Sequence, residues 1–361
     1  MDISTIARDG VFDTGTATRL GIDAAALKRL MRVGACARLR PGWYAAGTLT
    51  DERHRWRLLI AAAQQEYAGR AVLSHDAAVL ALGLPTFQPV TSRIDLTWLD
   101  PTTPAHLGRW VRLHRCPPGV HLGDGDHTVP PAVAVAQSGL RSRRALLVAG
   151  DAALRSKTAT RVDIDAALAA LEGHRGIVAA RAVAHLLEPL HESPGESLTA
   201  WLLHQLGHRL VPQHEVPGTE RLTASGWPDR VDFLVEGTRV VVEFDGKVKY
   251  SDRDVLFAEK QREDRIRSLG YEVVRLIWAD LSRPERVRTL LQDALARARR
   301  GRIRPHGRPD RSARASRVLP HRTTALRTNE PHGMPCQAFG QRALDKWMGS
   351  RGGGGSFLRG L

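Results

Sequence analysis

Residues 230–250 read RVDFLVEGTRVVVEFDGKVKY, two short apolar runs separated by a polar Glu236-Gly237-Thr238 break. Val240, Val241, Val242 and Phe244 are β-prone, and their run predicts a buried strand. Side chains alternate along a strand, so Glu243 and Asp245 share one face, and Lys247 joins them if the strand lasts that long. Asp232 stands in the preceding run. A buried sheet carries acidic side chains where they are paired or where they hold a cation. Two carboxylates beside a third from a neighbouring strand could hold Mg²⁺, a hard ion that takes oxygen ligands. A nearby lysine could then orient an attacking water or stabilise charge on a phosphate. The stretch therefore predicts a sheet with metal-dependent hydrolysis of phosphodiester bonds as its chemistry.

Outward from this stretch, the flanking residues supply SPGES at 193–197, EKQREDRIRSLG at 259–270 and YEVVRL at 271–276. With VDF at 231–233 and EFDG at 243–246, the order is a carboxylate-bearing helix, a strand with Asp, a strand ending E-x-D-G, a helix, and a strand with V-x-R. That order resembles the PD-(D/E)XK nuclease superfamily, and most nearly its very-short-patch-repair-like endonuclease domains. The resemblance covers about residues 190–300 and implies a restriction-endonuclease-like α/β domain. It further implies Mg²⁺ held by Asp232, Glu243 and Asp245, Glu196 close by, and Lys247 or Lys260 stabilising developing charge. Asp245 occupies the lysine position of the simplest E-x-K pattern. Either Asp245-Gly246-Lys247 forms a D-x-K core, or Glu243 and Asp245 are both ligands and the lysine comes from elsewhere.

Lysine usage bears on that choice. Of 53 Lys and Arg residues only six are lysine, and Lys247, Lys249 and Lys260 fall close together. A compact, movable ammonium differs chemically from the arginines used elsewhere; the alternative is a solvated basic face. Other residues here have structural explanations. Ser193-Pro194-Gly195-Glu196 fits a capping box, which can coexist with a site role for Glu196. His204 and His208 stand at i, i+4, without the intervening Glu of H-E-x-x-H, and read as core or surface histidines. Lys260–Asp264 reads as an exposed ion pair, and Arg275 could reach a phosphate or pair with Asp264.

The first fifty residues predict a short helix over 3–8, a turn at Asp9-Gly10, and a helix over about 14–20. A third helix comes next, capped by Asp23 and ending at Gly34. Helix, Gly-containing turn, helix is a helix-turn-helix pattern. Lys28, Arg29 and Arg32 lie opposite an apolar set of Leu27, Leu30, Met31 and Val33, placed to meet a major groove or phosphates. CARLRPGWYAA at 36–46 predicts a two-stranded wing turning at Pro41-Gly42, with Arg38 and Arg40 on one side. The run resembles the winged helix-turn-helix at the front of type IV toxin–antitoxin (abortive-infection) antitoxins. The resemblance implies operator binding, and a cognate toxin as partner. The plain alternative is a three-helix adaptor that binds protein.

Residues 51–189 predict an α/β connector: helices at 55–69, 74–84, 143–155, 162–173 and 176–190, with strands at 93–99 and 109–115. No ligand spacing stands out, and His75 reads as a hydrogen-bonded packing histidine. A last helix is expected from Pro284 to about Arg299, and then a low-complexity basic tail over 301–361, expected to be disordered.

The whole is thus expected to be an α/β multidomain chain divided 1–50, 51–189, 190–300 and 301–361. The net charge of +15 suits a polyanionic partner such as DNA. The tail holds twelve Arg or Lys against three Asp or Glu, however, so the body is only mildly basic. Cys36, Cys116 and Cys336 lie far apart and form no C-x-x-C pair, which argues against a zinc site or a disulfide framework. No apolar run is long enough to cross a bilayer and no signal segment is evident, so a cytoplasmic protein is expected. Two functions remain: a DNA-binding Mg²⁺-dependent endonuclease, or an antitoxin-like repressor with an inactive nuclease-like domain.

Overall fold

The computed structural model describes residues 3–118, 120, 122, 127–223, 225–246 and 253–301. It is a mixed α/β structure with three sheets, in two compact units that divide at Leu202/Leu203.

The first unit opens with a single 3-10 turn, Ile3–Thr5, in place of the helix predicted to residue 8. The turn at Asp9 and Gly10 has positive φ at both residues, and a bridge between Arg8 and Val11 starts a strand instead. β1 (Val11–Asp13) leads into α1 (Thr14–Arg19) and α2 (Ala24–Arg32). Each helix starts where an Asp side chain accepts an orphan backbone N–H: Asp13 from Thr16 and Asp23 from Ala26, both at 2.7 Å. β2 (Cys36–Arg40) and β3 (Trp43–Ala46) come next. The antiparallel order is β1-β3-β2, so the hairpin predicted over 36–46 forms and β1 adds a third strand to it.

That small sheet is covered on both faces. Alternation sends Phe12 and Tyr44, stacked at 5.5 Å, into a cluster with Ile22, Leu27 and Cys36. Val11, Trp43 and Ala45 point the other way, into the same buried cluster as Trp56, Leu73, Leu96 and Leu146. This small sheet therefore shares a core with residues 56–146, within one compact unit. Trp56 and Leu59 reach that core from α3 (Glu52–Glu66).

The second sheet comes from β4 (Ala71–Leu73), β5 (Ile94–Trp98), β6 (His106–Leu107) and β7 (Val111–His114), with α4 (His75–Ala81) between the first two strands. Its order is β4-β5-β7-β6; β5 and β7 are parallel and the other pairs antiparallel. A helical layer succeeds it: α5 (Pro131–Arg141), α6 (Arg143–Arg155), α7 (Arg161–Ala170) and α8 (Ile177–Ala184). Gly176, at φ +94°, lets that layer close, because a Cβ there would lie 2.0 Å from the Leu140 carbonyl oxygen. The unit boundary falls within α9 (Pro194–Gln205).

The second unit is one four-stranded sheet with two helices. β8 (Leu210–Glu215), β9 (Arg230–Val235) and β10 (Val240–Asp245) form an antiparallel meander. α10 (Arg253–Ser268) then crosses to β11 (Glu272–Ile277), which lies parallel to β10, and α11 (Pro284–Gly301) closes the described chain. The order β11-β10-β9-β8 makes β10 an interior strand, which explains its run of buried valines. Among the described residues no helix is long and apolar enough to cross a membrane. Lys247, Lys249 and the tail over 302–361 lie outside the described residues.

Candidate functional site

The acidic residues of β9 and β10 sit at one end of the second unit's sheet. Val242 pairs with Phe233, so the antiparallel register carried one residue further sets Asp232 opposite Glu243. Asp232 Oδ2 accepts the Phe244 N–H at 2.7 Å, tying the two strands together. Glu243 is buried at 9% exposure, and its neighbours are arginines. Arg262 from α10 donates to Glu243 Oε1 at 2.7 Å, and Arg275, its register partner on β11, stands 3.6 Å from Oε2. Burial works against the Arg262 charge, yet Glu243, Glu259 and Asp229 outweigh it and hold its pKa above the ordinary value.

The arginines form a continuous network. Arg275 also meets Glu259 at 2.6 Å and Glu263 at 3.0 Å, and so pairs with these rather than with Asp264. Arg265 binds Asp229 through two 2.9 Å hydrogen bonds. Lys260 is exposed, while Glu259, Arg262 and Glu263 make the network's contacts. Asp245 is half-buried at the end of β10.

Mg²⁺ would need the Asp232, Glu243 and Asp245 oxygens gathered around one point. Among the described residues these three do not form such a group, and Glu243 already faces two guanidinium groups. The donor set in this conformation does not fit the ion.

Glu196 is buried at the start of α9 and folds back as the expected capping box requires, but onto the Glu192 N–H and the Ser193 hydroxyl and not the Ser193 N–H. Its carboxylate accepts from Ser193 Oγ at 2.7 Å and from the Glu192 N–H at 2.8 Å, while its own N–H donates to Ser193 Oγ. Burial pushes its carboxyl pKa up, against those hydrogen bonds. α9 ends at Gln205 and Gly207 has φ +86°, so His204 and His208 do not share a helix face.

In the first unit Lys28, Arg29 and Arg32 of α2 are all exposed, as is Arg38 of β2. Leu27 is buried and Leu30 and Met31 half-buried, but Val33 is 75% exposed and leaves the expected apolar set, because α2 has ended before it. Arg40 is not a free cation. It donates to Glu66 at 2.6 Å and stacks on the Trp110 ring at 3.8 Å, which ties the small sheet to the larger core.

A cluster with no counterpart in the sequence patterns lies on the second sheet. His75, Asp95 and His114 bring their ligand atoms within 4.8 Å of one another, the group of this kind among the described residues that could hold a metal ion. β4 delivers His75 just beyond its end, β5 carries Asp95 at the centre, and β7 ends on His114. His114 Nε2 lies 2.8 Å from Asp95 Oδ1, and the two imidazoles stack at 4.0 Å. Burial, then the facing His114, lowers the His75 pKa to about 3, so its ring is neutral near pH 7. Asp95 is held below its ordinary value: the His114 hydrogen bond and the His75, His114 and Arg112 charges overcome its burial. The three residues are scattered over forty positions in the sequence. Asp95, an acid inside the apolar run of RIDLTWL, is the signal that could have pointed to the cluster.

No protein family matches the chain. Two uncharacterized proteins from two strains of Mycobacterium tuberculosis are each 33% identical to it over 174 residues, 46% of this chain. The chain spans 60% of the length of these curated relatives.

Proposed function

We propose that the chain is a DNA-binding protein of antitoxin-like regulatory type, with residues 3–46 acting as a winged helix-turn-helix and the second unit as a nuclease-like body that does not cut. The observation that carries this reading is the β1-β3-β2 sheet with α1 and α2 inserted after its first strand. That connectivity supports a winged-helix reading, in which α2 would be the helix that enters a major groove. Its exposed Lys28, Arg29 and Arg32 supply the charge for phosphates or base edges. Arg38 on the wing adds a backbone contact. The meander with a crossover helix supports a restriction-endonuclease-like reading of the second unit, and the arginines on Glu243 favour the non-cutting version of it. A cognate toxin is the partner that such a regulator would take.

A second reading, an endonuclease, is favoured by the register that sets Asp232 opposite Glu243. It requires Arg262 and Arg275 to release Glu243. Purified full chain, incubated with duplex DNA for gel shift and with supercoiled plasmid with and without Mg²⁺, separates the two. A shift without nicking or linearisation is the expected outcome. Mg²⁺-dependent cutting that disappears in Asp232→Ala would establish the enzyme instead, and no shift at low salt would remove both readings.

A further inference from the structure

We propose that His75, Asp95 and His114 form a binding site for a borderline divalent metal of the Zn²⁺ class, with three protein ligands and a fourth position open to water or a small molecule. Two imidazole nitrogens and one carboxylate favour Zn²⁺ over Mg²⁺, which prefers an all-oxygen shell. The ligand atoms already lie within 4.8 Å of one another. Atoms around a tetrahedral Zn²⁺ at about 2.0–2.1 Å stand roughly 3.3 Å apart, so small side-chain rotations close the set.

Three further observations mark the place as built rather than incidental. His75 has φ +53°, a left-handed conformation uncommon outside glycine, though His adopts it more readily than most residues. It is fixed there by Gln137, itself 1% exposed, whose Oε1 accepts the His75 N–H at 3.1 Å. Strain of this kind concentrates where a side chain must be presented in one direction. Second, His75 Nδ1 meets Ser74 Oγ at 3.1 Å. Such an outer partner sets the tautomer of a liganding imidazole and leaves Nε2 for the ion. Third, Thr97 pairs with His114 across β5 and β7 and shares a strand face with Asp95. Its hydroxyl is fully buried and has no hydrogen-bond partner among the described residues. A water on the metal's fourth position would give it one.

Arg112, 3.7 Å from Asp95 Oδ1 and 44% exposed, is the competing cation and is free to swing into solvent. Both histidines are half-buried, so the ion has a route in from the surface. Three ligands and an open place is the arrangement of a reactive zinc rather than a sealed structural one.

The test uses the full chain, stripped with chelator and titrated with ZnCl₂ by calorimetry, then with CoCl₂ for the visible bands of tetrahedral cobalt. The expected result is one equivalent bound, a tetrahedral Co²⁺ spectrum, and a loss of more than about 100-fold in affinity in His114→Gln and Asp95→Asn. His75→Asn tolerates the left-handed backbone and serves as a third variant if either of these folds poorly. Thermal denaturation adds a control on folding: Zn²⁺ should raise the wild-type midpoint and leave the variants' midpoints unmoved. Equal Zn²⁺ affinity in wild type and all three variants would overturn the proposal, as would an octahedral Co²⁺ spectrum.

Discussion

Glu243 is one buried carboxylate held between two guanidinium groups, and the arrangement has a measurable stability. Removing Arg262 leaves Glu243 with Arg275 alone, at 3.6 Å. Arg262→Ala should cost about 2 kcal/mol, the scale of a hydrogen bond between charged groups. Adding Glu243→Gln to the same chain should recover part of the loss. Urea denaturation followed by circular dichroism reads both changes, and an unchanged midpoint in Arg262→Ala would mean that the pair contributes nothing. His75 gives a second prediction at this scale. Its pKa is about 3 in the folded chain against 6.5 ordinarily. The unfolded chain therefore binds more protons between these values, and metal-free stability falls as pH drops below 6.5. Between pH 6.5 and 4.5 the fall attributable to His75 should be about 2 kcal/mol. It appears as the difference between wild type and His75→Asn, since Asp95, His114, His174 and Arg112 remain in both. Parallel pH curves for the two chains would contradict it.

At the scale of elements, close approach at Gly176 decides whether the helical layer closes. Gly176→Ala combines a positive φ with a Cβ placed against the Leu140 carbonyl, so a destabilisation of more than about 3 kcal/mol is expected. A melting temperature within a degree or two of wild type would show that the α5–α8 packing adapts. The same elements show what the sequence could reveal. α6 is readable to the residue over 143–155 from its apolar period, and the alternation in 230–245 locates β9 and β10. α5 escapes such reading: the alternation AVAVA inside PAVAVAQSGLR is a strand-like pattern that its burial in the helical layer overrides. β4 is three residues long and β8 contains Pro212, each a weak strand signal that pairing alone rescues. Glu196's capping box is visible in the sequence because it is local. The partners of Glu243 are not, since Arg262 and Arg275 reach it from another helix and another strand. The His75 cluster is hidden for the same reason, with Asp95 and His114 brought by two strands and His75 by the first residue of α4.

For the whole molecule, the architecture bears on how the proposed DNA reader is held. The wing's inner face shares a core with α3 and the second sheet, so the proposed DNA-reading segment is fixed to a larger unit instead of hanging on a linker. Arg40, committed to Glu66 and Trp110, belongs to that attachment. Arg40→Ala should therefore lower stability more than it lowers DNA affinity, whereas Arg38→Ala should do the reverse; thermal melts and gel shifts on the two variants decide it. The most direct test of DNA reading through α2 is fluorescence anisotropy with a labelled duplex across a series of salt concentrations. Wild type is compared with a chain carrying Lys28→Ala, Arg29→Ala and Arg32→Ala. The triple variant should bind more weakly at every salt concentration, with a salt slope reduced by about 2–3, roughly one for each phosphate no longer engaged. Identical affinities and slopes for the two proteins would contradict DNA reading through this helix.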